Sequence, residues 1–371
     1  MTKKVTGAVS DRSRRVRTNA GININDLAER AGVAPATVSR ALNGYTDIAE
    51  ATRDRILKLA RELNYRPSSR ARQLARGSIE TVAFILPSAN GPMSDPFLSD
   101  FLDALASALA EKDFDLLVAT VREGEEEVDV YRRLISAQKT AGFIVTNSRD
   151  HDPRIALLQE MRVPFVVYGR AETETPFAYI DMDNEAAIAR MVDHLCALGH
   201  RRFAYLDLKD DATFARLRRA GFDRGARSCG LSAEDVEIVS SEHTSASGQM
   251  AVAQLFDGTN SHQPTAIVCP ADIVAIGAIQ AITSRGYAVG RDVSVTGYDG
   301  VPLGSSTSPP LTTMSQPTKK IGKWLISTLF SIMAGAQPDG FQVVLEPTLV
   351  RRSSDGSPTR RGRPEANGAV H

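Results

Sequence analysis

The stretch ININDLAERAGVAPATVSRALNGYTDIAEATRDRILKLARELNYRPSSRARQLAR, residues 22–76, decides how this chain is read. Asn23 can cap a helix, and Asp26 three residues later can reach back to the cap's amide. Leu27, Ala28 and Ala31 then share one helical face. Gly32 ends this helix and Val33 returns to the core. A second short helix starts near Pro35, which the first turn tolerates. It buries Val38, Ala41 and Leu42 and turns Pro35, Ala36, Thr37, Ser39 and Arg40 outward, until Asn43-Gly44 stops it. A third helix buries Ile56, Leu59, Ala60 and Leu63. Two short helices joined at a glycine and braced by a third make a helix-turn-helix, whose second helix has the size to enter a DNA major groove.

Charge supports this division. The chain of 371 residues has no net charge, yet residues 1–78 carry 16 Lys/Arg against 7 Asp/Glu, and the remainder carries the opposite excess. A basic fifth on an acidic body is an electrostatic footprint for nucleic acid. Residues 1–21 read as a disordered basic arm, either in contact with phosphates or a plain solvated tail. No secretory leader or membrane-length apolar run is visible. Cys196, Cys229 and Cys269 lie far apart without metal spacing, which fits a reducing cytoplasm and no disulfide. His194 and His200 stand six apart, a poor ligand spacing on a helix, so no metal is expected. No nucleophile elbow, P-loop or dinucleotide fingerprint occurs, so neither enzyme nor cofactor is expected.

From Ile79 onward short apolar strands alternate with helices. IETVAFILP, FDLLVAT, AGFIVTN and PFVVYG are separated by PFLSDFLDALASALAEKD, EEEVDVYRRLISAQK and DPRIALLQEMR. The pattern repeats from AYIDMD through RRFAYLDL, VEIVSS, PTAIVCP and DVSVTGYDG. Such alternation predicts an α/β fold of two doubly wound lobes, with ligands bound beyond the carboxyl ends of the strands. Residues 354–371 lack apolar periodicity and read as a disordered tail. Within it, Arg361-Gly362-Arg363-Pro364 is similar to the core of an AT-hook, a short match against the simpler reading of a solvated tail.

AGV-A-P-A-TVSRALN followed by LNYRPSSRARQLARG closely resembles the headpiece of the LacI/GalR family of bacterial transcription regulators. YIDMDNEAAIARMVDHLCALGHRRFAYL, RRAGF and SVTGYDG with PPLTTMSQP are similar to the effector-binding core of the same family. The resemblance implies an all-α helix-turn-helix domain over 22–66, a hinge helix over 67–77, and a core over 78–353 similar to periplasmic sugar-binding proteins. It places lobe 1 at about 79–178 and 316–343, and lobe 2 at about 179–315 and 344–353, with three crossovers. It implies DNA contacts from Asn23, Pro35, Ala36, Thr37, Ser39, Arg40, Asn43, Ala71 and Leu74, with Leu74 as a minor-groove wedge. Pro35 and Ala36 offer base edges no hydrogen bonds, so reading there rests on shape or thymine methyl contact.

The resemblance also implies effector contacts. Arg218 of R-x-x-G-F would donate a planar fork to two hydroxyls, although Arg216 and Arg219 beside it also fit a surface helix. Asp299 would accept from vicinal hydroxyls; the second Asp common there is Gly300. Asp272 fits an N-cap and a ligand contact equally, after Ala271 where relatives often carry a polar residue. Phe97 and Leu98 would face the flat side of the ligand, and His243 would replace an aromatic wall. Ser88, Asn90, Arg170 and Gln316 complete the candidates. Such a set suits a neutral mono- or disaccharide. The expected protein is a cytoplasmic homodimeric repressor of carbohydrate uptake or catabolism genes, released from double-stranded operator DNA by a small sugar, without a membrane. The alternatives are a corepressor-dependent or activating regulator with a purine or sugar-phosphate effector, and a sugar-binding receptor with an incidental N-terminal domain.

Overall fold

The computed structural model describes residues 22–42, 44–63, 65, 79–86, 95–122, 124–256 and 263–358. The chain divides between Ser78 and Ile79 into two compact units. In the first, α1 (Ile24–Ala31) begins with the expected capping box: Asn23 Oδ1 accepts from the Asn25 and Asp26 amides, and Asp26 Oδ2 accepts from the Asn23 amide at 2.9 Å. Gly32 closes the helix at φ 63°, a left-handed conformation that a Cβ would penalise. With α2 (Pro35–Leu42) and α3 (Glu50–Glu62) it encloses Leu27, Val38 and Ile56, all fully buried. Burying each such side chain contributes roughly 1.5–3 kcal/mol, which fixes three short helices that would not persist alone.

Among the described residues the second unit holds two six-stranded sheets. The first has the order β11-β5-β4-β3-β1-β2, with β1 (Thr81–Leu86), β2 (Asp115–Thr120), β3 (Gly142–Thr146), β4 (Phe165–Tyr168), β5 (Tyr179–Met182) and β11 (Gln342–Leu345), all parallel. The second has the order β12-β10-β9-β8-β6-β7, with β6 (Phe203–Leu208), β7 (Val236–Ser241), β8 (Ala266–Val268), β9 (Ser294–Asp299), β10 (Thr312–Ser315) and an antiparallel edge, β12 (Thr348–Val350). Alternate residues of each strand feed opposite faces. Val82, Phe84 and Leu86 of β1 pack with α4 (Pro96–Ala110) and α11 (Thr318–Met333), while Ala83 and Ile85 pack with α5 (Glu127–Ser136) and α6 (Pro153–Glu160). The second sheet is covered likewise by α7 (Asn184–Ala197) and α8 (Thr213–Ser228) on one face, and by α9 (Ser245–Phe256) and α10 (Asp272–Ser284) on the other.

Three boundary readings change. The strand 179–182 belongs to the first sheet, not to lobe 2, because Tyr179 and Ile180 pair with β4 and with β11. In the sequence it runs straight into α7 and so looks like the start of a βα unit. The third crossover follows Leu345, since β11 pairs along its whole length with β5. The tail is fixed through residue 358: Ser354 is fully buried, its Oγ donates to Val295 O at 2.6 Å and accepts from the Thr312 amide at 2.8 Å. His194 meets Asp355 at 2.7 Å, and His200 meets Gly356 O at 2.8 Å. Polar bonding along a sheet, not apolar burial, holds this segment, so hydrophobic periodicity misses it.

Cys196 and Cys229 form a disulfide, against the expectation of none. They end adjacent helices, and those helices lie unusually close. A Cβ on Gly221 would sit 2.3 Å from Glu185 O, and one on Gly225 2.7 Å from Val192 Cβ. Contact at this distance brings two residues 33 apart in sequence to a Cα separation of 6.4 Å. No helix among the described residues is long and apolar enough to cross a membrane.

Candidate ligand cleft and nucleic-acid interface

The carboxyl ends of β1, β3 and β4 from one lobe and of β6, β7 and β9 from the other line a cavity of about 540 Å³. That volume falls within the range of small-molecule sites. Arg218, on the second turn of α8, is 5% exposed and aimed into it. Its Nε donates to Asn184 Oδ1 at 2.9 Å and its Nη1 to Pro270 O at 2.6 Å. Nη2 stands 3.7 Å from Asp299 Oδ1, and the guanidinium lies 3.6 Å from the centre of the Tyr298 ring. The close α7–α8 packing at Gly221 sets the Asn184 contact. Asp299 has φ 120°, a strained backbone for a residue with a side chain, held here at the end of β9 before Gly300. Burial pushes its carboxyl well above the usual carboxylate range, against the pull of Arg218.

Gln316, at the second crossover, donates from Nε2 to Asp299 Oδ1 at 2.8 Å and accepts from the Tyr168 hydroxyl. One chain of contacts therefore runs from β4 through the crossover to Arg218. Phe97, Phe101 and Tyr168 stack with centroids 5.3–6.3 Å apart, making an apolar wall, with Leu98 beside them. His243 comes from the other lobe: its Nε2 faces Asp95 Oδ2 at 3.5 Å across the cleft and has no hydrogen-bond partner. Burial lowers the His243 pKa, with Asp95 opposing.

Six of the sequence candidates thus line one cavity: Phe97, Leu98, Arg218, His243, Asp299 and Gln316. Two do not. Arg170 is not among its lining residues and pairs through Nε with Asp181 Oδ2 at 3.1 Å. Asp272 is neither cap nor lining residue. Ala271 occupies the cap position, and the Asp272 carboxylate accepts from the Gly300 and Val301 amides, each at 2.8 Å, and from Thr313 Oγ1 at 2.6 Å. It shapes the turn that carries Asp299, and burial pushes its pKa up to about 7. Ser88 and Asn90 lie outside the described residues, as do Asn43, Ala71, Leu74, the arm, the hinge and the 361–364 motif.

Sequence reasoning missed Asn184, Tyr168 and a polar group from lobe 1. Arg154 is buried and donates to Asp152, to Glu127 Oε1 at 2.7 Å and to Asn147 O at 2.8 Å. The signal was present as Asp-Pro-Arg opening a helix, where an N-cap Asp precedes a charged residue in the first turn.

In the first unit, Pro35, Ala36 and Arg40 are exposed and Thr37 and Ser39 half-buried, so α2 presents the expected face. Arg40 pairs with Asp47 and lies 5.6 Å from the Tyr45 ring centre. An exposed pair of this kind contributes little and leaves the guanidinium recruitable. Asn23 Oδ1 is spent on its helix cap.

A helix-turn-helix unit and a two-lobed cleft protein in one chain define a ligand-responsive DNA-binding regulator. Comparison with known proteins agrees. Residues 23–68 match the model of bacterial regulatory proteins of the lacI family, and residues 192–354 a periplasmic binding protein-like domain. The HTH-type transcriptional regulator AglR of Rhizobium meliloti (strain 1021) is 32% identical, over 94% of this chain and 99% of its own. RafR of Escherichia coli, also an HTH-type transcriptional regulator, is 30% identical over 91% and 100%. The lac repressor dimer bound to operator and the anti-inducer ONPF is 27% identical over 91% of this chain and all of its own, with a TM-score of 0.77. The CelR–cellobiose complex is 27% identical over 90% and 99%, with a TM-score of 0.67. The chain belongs to the LacI family of transcription regulators.

Proposed function

We propose that this protein is a cytoplasmic, homodimeric repressor of carbohydrate uptake or catabolism genes, released from its operator by a small neutral sugar. The observation that carries the effector class is the charge balance of the cleft. Among the described residues six carboxyl groups line it against four cations, and Arg149, Arg154 and Arg218 each face a carboxylate. An anionic ligand would enter a net negative pocket whose described guanidinium groups are already engaged, leaving the exposed Lys209 at its edge to receive it. Neutral hydroxyls instead find paired donors and acceptors beside an aromatic wall. The relative solved with cellobiose and the relative solved as a dimer on operator support the same reading. Effector and operator would then compete by linkage, each weakening the other equally.

The test is a thermal-shift screen of the full chain against neutral sugars, sugar phosphates and nucleosides, followed by titration of the best ligand into the operator complex. A neutral sugar that raises the melting point and releases DNA supports the reading. Stabilisation only by a phosphate or nucleoside overturns the effector class, and a ligand that tightens DNA overturns the sign of regulation.

The contact face of α2 carries its own expectation. Arg40→Ala should weaken specific operator binding by roughly 1–3 kcal/mol if the guanidinium leaves Asp47 to read a base. Binding to operator and to random duplex at one salt concentration decides it. An unchanged ratio between the two makes Arg40 a phosphate contact only.

A further inference from the structure

The polar group on lobe 1 is built more firmly than its fold requires. Arg154 is 3% exposed, and its donors are occupied: Nε by Asp152 at 3.0 Å, Nη1 by Glu127 Oε1 at 2.7 Å, Nη2 by Asn147 O at 2.8 Å and Asp152 Oδ2 at 2.7 Å. A buried ion pair adds little stability over apolar packing of the same volume. What this one does is fix the Glu127 carboxylate at the cleft wall, with the side chain 15% exposed. Oε2 stands 3.7 Å from Arg149 Nη2, and Arg149 Nη1 reaches Asp211 Oδ2 of the other lobe at 3.1 Å. An acceptor and a donor are thus held side by side, a match for neighbouring hydroxyls.

Their position relative to Arg218 is set by α8. The Thr213 amide, at the first turn, donates to Ser148 O at 2.9 Å, which places the 147–149 loop over the start of that helix. Arg218 comes five residues later, about 7.5 Å further along the axis. A ligand reaching from one group to the other would run along the start of α8, and one cavity of about 540 Å³ is lined by both.

We propose that Glu127 and Arg149 form an outer subsite for the second ring of a disaccharide whose first ring lies between Arg218, Asp299 and the aromatic wall. Arg154 is the positioning residue for Glu127. This rests on the reading of the cleft as a sugar site. A site whose polar groups are held to meet hydroxyls discriminates strongly against a ligand that leaves them unmet. Chain length, rather than ring identity, is what the outer pair selects.

The experiment is calorimetric titration of the full chain with matched sets: glucose against maltose and cellobiose, galactose against melibiose and lactose, with adenosine and cytidine as other ligands. At least one disaccharide should bind about tenfold or more tighter than its component monosaccharide. Glu127→Gln, which keeps shape and the Arg154 contact, and Arg149→Gln, on a part-exposed side chain, should each cut that disaccharide-to-monosaccharide ratio several-fold. A monosaccharide that binds as tightly as every disaccharide overturns the outer subsite and leaves the sugar reading standing. So does an equal loss for both sugars in both variants, which would mark the pair as structural. Binding by a nucleoside alone, or by none of the sugars, overturns the sugar reading and the subsite with it.

Discussion

Arg218→Leu is expected to leave operator binding near its original strength and to abolish release by effector. The guanidinium spends Nε and Nη1 on Asn184 and Pro270, which hold its plane against Tyr298, and leaves its remaining N–H groups toward the cleft beside Asp299. Two charge-assisted hydrogen bonds to ligand hydroxyls contribute roughly 1.5–3 kcal/mol each, so their loss weakens the effector about a hundredfold or more. Without effector affinity there is no linkage, and the operator stays occupied at effector concentrations that empty it in the parent. Calorimetry with the ligand from the screen and gel shift with operator measure the two halves separately. Arg218→Lys resolves a failure to fold. It keeps a cation between Asp299 and Tyr298 but loses the fork, and should bind effector more weakly than the parent while remaining on DNA. Unaltered release by the Leu variant would remove Arg218 from the binding site.

What the sequence made legible follows the range over which its signals act. The capping box at Asn23 and Asp26 and the apolar face of Leu27, Ala28 and Ala31 are local patterns, and all of them appear in α1. Arg218, Asp299 and Gln316 lie at strand ends or helix starts of a repeated βα pattern, which is why residues picked out by the family resemblance line one cavity. Asp272 was ambiguous because a carboxylate at a helix start looks the same whether it caps, binds ligand or, as here, holds a turn 28 residues away. The Arg154–Glu127 bond spans 27 residues and the Arg149–Asp211 bond 62. Neither residue of either pair carries a mark of its partner in the local sequence. The disulfide is the same case, since only the helix contact at Gly221 and Gly225 brings the two thiols within reach. Strand 179–182 was misassigned for the opposite reason: its sequence neighbour α7 was visible and its sheet partner β11, far downstream, was not.

The second large effect concerns that lobe 1 network. Arg154→Met should destabilise the folded chain by roughly 3–5 kcal/mol, because it leaves Asp152 with its charge buried and unpaired. The pH dependence gives the sign. In the parent, burial works against the Asp152 charge, but the hydrogen bonds and charge of Arg154 outweigh it and hold the carboxyl below its ordinary value of 3.8. The parent therefore keeps this contribution at all pH above that value and loses it only as pH falls through the depressed one. In the variant the Arg154 side chain no longer opposes burial, the largest influence, and the backbone amides of residues 149 and 154 oppose it only in part; the folded pKa rises, so stability falls as pH rises from the ordinary value toward the raised one. The loss measured by urea unfolding should be greater at about pH 8 than at about pH 5. Adding Asp152→Asn removes the stranded charge while keeping a side chain that can cap α6, so the double variant should be more stable than Arg154→Met alone. A loss below about 1 kcal/mol, or one equal at both pH values, would mean that the network is open to water and not a buried pair. The same variant frees Glu127 from its anchor, which couples this stability measurement to the sugar titration. If Arg154 positions the outer subsite, the folded fraction of the variant binds disaccharide with a reduced preference over monosaccharide.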